Sequence, residues 1–216
     1  MIRGAKVFIA VPLSQSVHSE FFRTFYMAQL LLPEEGVAYN EICKWGNTVN
    51  NRNDLVKTFL KGDYTHLFFM DSDMSFPEAT LSRLLQHDKD IVGGFYSTKV
   101  RPFRSTAMVK SDKQGARYES YTPKAGESLK KIDALGTGCM LIKRMVLESM
   151  KWPWFYYKPD YNLETFATED VAFCEDAAEK GFETWCDFSI RCGHAGHMVV
   201  TPYIEQGESR LRIDAV

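Results

Sequence analysis

The sequence predicts an α/β domain: an open, mostly parallel sheet with helices on both faces and a smaller antiparallel part after residue 96. Two observations carry this expectation. Continuous apolar runs of strand length, such as Val7 to Val11, Leu67 to Met70 and Ile91 to Phe95, read as strands buried on both faces. Between them lie stretches with helical spacing of apolar residues, and strands alternating with helices imply parallel strands joined by crossovers. Ligands bind such sheets at the C-terminal edge of the strands. There the run His66-Leu-Phe-Phe-Met70 delivers two carboxylates, Asp71 and Asp73, with only Ser72 between them.

Taken in order, Lys6 to Val11 is a central strand that Pro12 ends. Ser19 and Glu20 open a helix through Leu32, with Pro33 and Gly36 as its stop. Val37 to Cys43 is a short strand, and a second helix spans about Asn51 to Leu60. A short helix begins near Pro77 and runs through Leu85, before the strand Ile91 to Phe95. Beyond Tyr96, turn and charged residues dominate, and Ser105 to Val109 with Ala116 to Tyr121 suggests a hairpin or a mobile excursion. Ile132 to Ile142 reads as one strand interrupted by Gly136-Thr137-Gly138. A helix over Arg144 to Met150 leads into the aromatic cluster Trp152, Trp154, Phe155, Tyr156 and Tyr157. Thr168-Glu169-Asp170 opens a helix through Lys180 that Gly181 ends, and Phe182 to Phe188 is a strand.

Composition bounds the function. A chain of 216 residues with 45% hydrophobic and 25% charged content is of ordinary globular make, long enough for one sizeable core. The net charge of −2 argues against a general grip on nucleic acid. No apolar run approaches the roughly 20 residues of a spanning helix, so no transmembrane segment is expected, and the start leads straight into a strand without the pattern of a signal peptide. Five scattered cysteines make no disulfide framework, which points to a reducing, cytoplasmic setting, with Cys186 and Cys192 as buried thiols.

Ionised carboxylates beside an apolar strand cost several kcal/mol unless something positive neutralises them, and nothing basic lies close to Asp71 and Asp73 in sequence. Their hard oxygens suit Mg²⁺ or Mn²⁺, which use one or two protein carboxylates and complete the shell with water and phosphate. The plainer reading is a turn in which Asp71 caps and Asp73 is solvated.

In order and spacing the chain resembles the GT-A glycosyltransferases, most closely compact family-two-like enzymes of bacteria and viruses. The likeness rests on Val49-Asn50-Asn51-Arg52-Asn53, Phe69-Met70-Asp71-Ser72-Asp73, Asp90-Ile91-Val92-Gly93-Gly94-Phe95-Tyr96, Gly136 to Ile142, Thr168-Glu169-Asp170-Val171-Ala172-Phe173-Cys174 and Cys192-Gly193-His194-Ala195-Gly196. It implies a single GT-A domain with a nucleotide-sugar half, 1–96, and an acceptor-side half, 97–216. It further implies that Asp71-Ser72-Asp73 is a DxD motif, with Asp73 the direct ligand of Mn²⁺ or Mg²⁺ and Asp71 nearer the ribose. His194 becomes an imidazole ligand from the far end of the chain, with His197 as fallback; alone, His194 reads as a histidine satisfied by a backbone carbonyl. Asp170 is expected as the catalytic base that takes the acceptor's proton, with Glu169 positioning the acceptor, although Thr168-Glu169-Asp170 is also an ordinary acidic helix start.

Arg52 is expected beside the nucleotide and the DxD carboxylates, against a solvated surface arginine. Pro12, Leu13 and Ser14 would seat the base and ribose. Lys99, with Arg101 and Arg104, is read as holding phosphate or as a solvated positive face. The donor is expected to be a nucleotide diphosphate sugar, a UDP-sugar first, although the usual acidic turn after the second strand is replaced by Glu41-Ile-Cys-Lys-Trp-Gly46 and leaves the base open. The acceptor is a carbohydrate or lipid-linked glycan, or a hydroxymethylated base in viral DNA, since the compact form resembles enzymes of bacterial viruses. A nucleotidyltransferase is the rival enzyme, disfavoured because no Gly-rich loop follows the first strand. A non-catalytic nucleotide-sugar-binding module is the rival outside enzymes.

Overall fold

The structure, a computed structural model, describes residues 4–13, 17–29, 37–43, 47–196, 198–205 and 208–215, with backbone alone for 26, 29, 37–43, 198–205 and 208–215. The first half runs β1 (Lys6–Pro12), α1 (Ser19–Gln29), β2 (Val37–Cys43), α2 (Thr48–Lys61), β3 (His66–Met70), β4 (Met74–Ser75), α3 (Thr80–Gln86) and β5 (Ile91–Phe95). The middle holds β6 (Ala107–Lys110), β7 (Tyr118–Ser120), β8 (Leu129–Ile132), β9 (Ala134–Leu135), β10 (Cys139–Lys143) and α4 (Arg144–Ser149). The remainder is β11 (Lys158–Asp160), β12 (Thr165–Ala167), α5 (Glu169–Glu179), β13 (Thr184–Arg191), β14 (Gly193–His194), β15 (Met198–Glu205) and β16 (Glu208–Ala215).

Seven strands form the central sheet in the order β2-β1-β3-β10-β5-β13-β8. The strands β2, β1 and β3 are parallel, as are β5 and β13, while β10 and the edge strand β8 run against their neighbours. The sheet is therefore mostly parallel, and three strands from the second half of the chain complete it. The alternation of β3 sorts the core: Leu67 and Phe69 point to the face covered by α2, α4 and α5, Phe68 and Met70 to the face covered by α1 and α3. All four are fully buried, each worth about 1.5–3 kcal/mol of apolar transfer.

Most expected elements are present. The second helix begins earlier, at Thr48, because Asn47 caps it by accepting from the Asn50 amide. The third begins at Thr80, after Ala79 in the left-handed region (φ 56°). The single strand expected over Ile132 to Ile142 is a correction: it divides into β8, β9 and β10, of which β9 belongs to a separate three-stranded sheet with β6 and β7. The expected hairpin is β6 against β7. The last strand of the central sheet extends to Arg191, beyond the expected Phe188, and β15 with β16 is a hairpin that the sequence reading did not anticipate. The expected helix end at Leu32, with Pro33 and Gly36, lies outside the described residues.

Candidate active site at the carboxyl edge of the sheet

The end of β3 is fixed from two sides. The Asp71 amide donates to Gly138 O (3.0 Å), and the Ala195 amide donates to Asp73 O (2.8 Å). The ladder between β14 and β4 sets His194 opposite Met74. By these bonds the backbone brings the DxD run, the glycine run before β10 and the late histidine segment to one place. Glycines permit the approach: a Cβ on Gly138 would lie 2.9 Å from the Tyr96 hydroxyl and 3.3 Å from Asp71 Oδ2. The Gly138 amide instead donates to that hydroxyl at 2.9 Å.

Arg52 is the hub of the acidic side. It projects from α2, is only 3% exposed, and lies over the Phe69 ring at 5.2 Å. Its two terminal nitrogens donate to the two oxygens of Asp71, both at 3.0 Å, and its Nε lies 3.6 Å from Glu169 Oε1. Burial opposes the guanidinium charge, but Asp71 and Glu169 outweigh it and raise the Arg52 pKa. The Nε atom is buried with no hydrogen-bond partner, so the fork serves Asp71 better than Glu169. Burial pushes the Glu169 carboxyl up in pKa, with Arg52 acting the other way. The reading of Arg52 as a solvated surface arginine is thereby excluded.

Asp73 has a different environment. Its Oδ2 accepts from Lys99 Nζ at 2.5 Å and faces His194 Nε2 at 3.4 Å. Burial alone would raise the Asp73 pKa, yet the hydrogen bonds and charges of His194 and Lys99 hold it well below the usual carboxylate range. His194 Nδ1 lies 2.9 Å from Ser97 O. A carbonyl only accepts, so Nδ1 carries a proton and Nε2 is the nitrogen presented to Asp73. Burial lowers the His194 pKa, and Asp73 and the Ser97 carbonyl more than reverse this, for a net rise. The plainer reading of His194, a ring satisfied by a carbonyl, is thus half of what is found.

Positive groups absent from the local sequence therefore arrive from afar, as Arg52, Lys99 and His194. Of the three side chains expected around a cation, Asp73 and His194 converge and Asp71 is engaged by Arg52. Among the described residues no three His, Cys, Asp or Glu side chains come together as a metal cluster. Asp73 Oδ2 and His194 Nε2 are 3.4 Å apart, close to the roughly 3 Å between adjacent ligands on an ion bound at about 2.1 Å, but the Lys99 ammonium holds the same Asp73 oxygen, so an ion could be held there only with that lysine displaced. The Ser97 carbonyl on Nδ1 is the outer contact that ligating histidines commonly have.

The remaining candidates are placed as follows. Pro12 ends β1, and buried Leu13 accepts through its carbonyl from Asn51 Nδ2 at 3.2 Å; Ser14 and His197 lie outside the described residues. Ser72 is buried, and its carbonyl accepts from the His18 amide. Asp170 Oδ1 accepts from its own helix start, from Thr168 Oγ1 and the Val171 amide. Arg101 and Arg104 are exposed. The aromatic cluster divides: Trp154 is core and donates to Leu147 O, whereas Trp152 and Tyr157 are exposed, with Tyr161 and Phe166 beyond them.

Two site residues lie within the motifs of the sequence reading but were given no role there. Tyr96 is buried, places its hydroxyl against Gly138, and packs edge-on against His194 with ring centroids 5.5 Å apart. It closes the Gly93-Gly94-Phe95-Tyr96 run, and an aromatic ending a buried strand was the available signal. Asn53 carries the other, joining α2 to the Trp154 and Phe155 backbone. Away from this site, a cavity of about 1040 Å³ beside α5 is lined by Lys110, Arg117, Lys131, Lys158, Glu175 and Glu183 among others. Its charges largely pair with each other, as Arg117 and Lys158 do with Glu175.

No protein-family model matches the chain, and no curated protein matches it in sequence. Solved structures do. A viral protein, A197 from STIV, is 19% identical with a TM-score of 0.61, over 97% of this chain and 94% of that one. GalNAc-T7, solved with UDP, GalNAc and Mn²⁺, is 10% identical with a TM-score of 0.59 over 95% of this chain. The chain spans 45% of the length of that transferase. At these identities the likeness shows the fold, which is the expected GT-A type. Among the described residues no helix is long and apolar enough to cross a membrane.

Proposed function

We propose that the chain is a metal-dependent glycosyltransferase that moves a sugar from a nucleotide diphosphate donor, a UDP-sugar first, to an acceptor hydroxyl with inversion. One observation carries this reading: Asp73 of the DxD run and His194 from the far end of the chain bring Oδ2 and Nε2 to within 3.4 Å of each other. These two side chains would hold Mn²⁺ or Mg²⁺. A divalent ion there would neutralise the charge that develops on the departing diphosphate. The UDP and Mn²⁺ bound to the structural neighbour GalNAc-T7 support the same kind of cofactor.

The other residues have assignable work. Arg52 holds both Asp71 oxygens, which fixes that carboxylate beside the ribose. Pro12, Leu13 and Ser72 line the nucleotide side. As the acceptor oxygen bonds to the anomeric carbon and the sugar–phosphate bond breaks, Asp170 takes the hydroxyl proton, and Glu169, partly buried beside Arg52, orients the acceptor. Residues 1–96 serve the donor, joined by Lys99 and His194 from the second half, and the rest of 97–216 serves the acceptor, with exposed Trp152, Tyr157, Tyr161 and Phe166 as faces on which sugar rings rest. A carbohydrate or lipid-linked glycan stands ahead of a hydroxymethylated DNA base, since the chain is acidic overall.

The test is donor turnover by wild type and Asp73→Ala over a panel of nucleotide sugars with added Mn²⁺. The expected result is release of nucleoside diphosphate that falls at least about a hundredfold in the variant. Unchanged turnover in Asp73→Ala would refute the reading. The rival of a non-catalytic nucleotide-sugar binder draws on one observation, the Lys99 ammonium on Asp73. A pure binder releases no nucleoside diphosphate from any donor in the panel.

A further inference from the structure

The position of Lys99 bears on how the site is loaded. Its ammonium lies 2.5 Å from Asp73 Oδ2, the same oxygen that faces His194 Nε2 at 3.4 Å. That is the point at which the proposed reading places the cation. An ammonium has three donors and no acceptor, so it can bind the carboxylate but cannot join a metal's shell. A dication bound to Oδ2 at about 2.1 Å would stand only about 4 Å from the ammonium on the same oxygen, and like charges that close, in a partly buried site, disfavour joint occupation.

The surroundings favour exchange over permanent occupation. Lys99 lies in a loop whose stem is held by the Ser97 and Ser105 bridge and by the Thr98 amide on Arg104 O at 2.8 Å. Its backbone is also packed on the histidine segment, since a Cβ on Gly196 would lie 3.2 Å from both Lys99 O and Lys99 Cβ. The main chain is thus anchored while the side chain, 44% exposed, is free to swing on four methylenes. No acidic residue occurs from Ile91 to Ser111, so within that stretch the displaced ammonium meets no other carboxylate. A donor diphosphate arriving at Asp73 would bring the anionic oxygens that it needs.

We infer that Lys99 and the divalent cation alternate on Asp73: Lys99 neutralises the carboxylate in the empty site, and the cation enters together with a nucleoside diphosphate, to whose phosphates Lys99 transfers. This rests on the metal-dependent reading above and adds an order of loading to it. The consequence is that the free protein binds the metal weakly and nucleotide binding strengthens it.

The test reads Mn²⁺ binding directly, by the loss of the free-ion electron paramagnetic resonance signal, with and without UDP. Wild type, Lys99→Met and Lys99→Arg are compared, after thermal unfolding confirms that each is folded. Without UDP, Lys99→Met is expected to bind Mn²⁺ about tenfold more tightly than wild type, about 1.4 kcal/mol, and Lys99→Arg to stay with wild type. UDP is expected to tighten Mn²⁺ binding by a larger factor in wild type than in Lys99→Met. Equal Mn²⁺ affinity of wild type and Lys99→Met without UDP would overturn the inference and leave the metal-dependent reading standing, as would tight binding by both variants regardless of charge. No Mn²⁺ binding by any of the three, with or without UDP, would overturn both.

Discussion

Arg52→Met removes the hub of the acidic side while keeping most of its volume. Wild type has two hydrogen bonds of 3.0 Å from the guanidinium to Asp71, and a further contact of 3.6 Å to Glu169. The variant leaves both carboxylates without a cation, with side chains 25% and 13% exposed. Removing one partner of a buried pair costs about 3–5 kcal/mol. Two features reduce the figure: water reaches part of Asp71, and the buried Nε without a partner is itself a penalty that the variant relieves. The expected loss is about 3 kcal/mol, which with a urea slope of about 2 kcal/mol/M lowers the unfolding midpoint by roughly 1.5 M. Adding Asp71→Asn should recover at least about 1 kcal/mol, because the stranded charge is gone. A loss below about 1 kcal/mol in the single variant, or no recovery in the double, would refute the assignment of Arg52 as the counter-charge of Asp71.

Two further perturbations address parts of the fold that hold the site. His66, on β3, is buried and its pKa is lowered from 6.5 to about 4, by burial first and Lys143 second. The unfolded chain therefore binds the proton more readily, so stability is full above 6.5 and is lost as pH falls from 6.5 to about 4, by up to about 3 kcal/mol. Urea midpoints of wild type and His66→Gln across that range should diverge accordingly, and parallel curves would show that His66 contributes nothing. Asn53→Ala strips the partner from the Trp154 and Phe155 amides (2.9 and 3.3 Å) and from Phe155 O (2.7 Å). A cost of about 2–4 kcal/mol, or roughly 5–15 °C in midpoint temperature, is expected, and a shift under 2 °C would contradict it.

What the sequence revealed follows the range of the forces involved. The strands β1, β3 and β5 were legible because burial on both faces writes itself as an unbroken apolar run. The helix α5 was legible because Thr168, the acidic first turn and Gly181 are all local signals. The division of β8, β9 and β10 was not, because it goes with contacts to distant residues: Asp133 bonds to Met108 O and the Lys110 amide at the first break, and the Gly138 amide bonds to the Tyr96 hydroxyl at the second. The hairpin of β15 and β16 has only weak local signals: the first run, Met198 to Glu205, does not alternate and contains Pro202, which nonetheless pairs with Leu211. At the site, the approach of His194 to Asp73, 3.4 Å apart in the structure, was expected from the order of the motifs. The partition of positive charge was not: Arg52 on Asp71 and Lys99 on Asp73 are contacts between distant residues, which no local pattern encodes.

The short ladder between β14 and β4 has a consequence for how the protein is made. It joins residues just after the DxD run to residues that follow the last strand of the central sheet, so the contact of Asp73 with His194 cannot exist on a half-synthesised chain. Until β13 has taken its place, the acidic run stands without its imidazole neighbour, and this corner of the fold is among the last to be assembled.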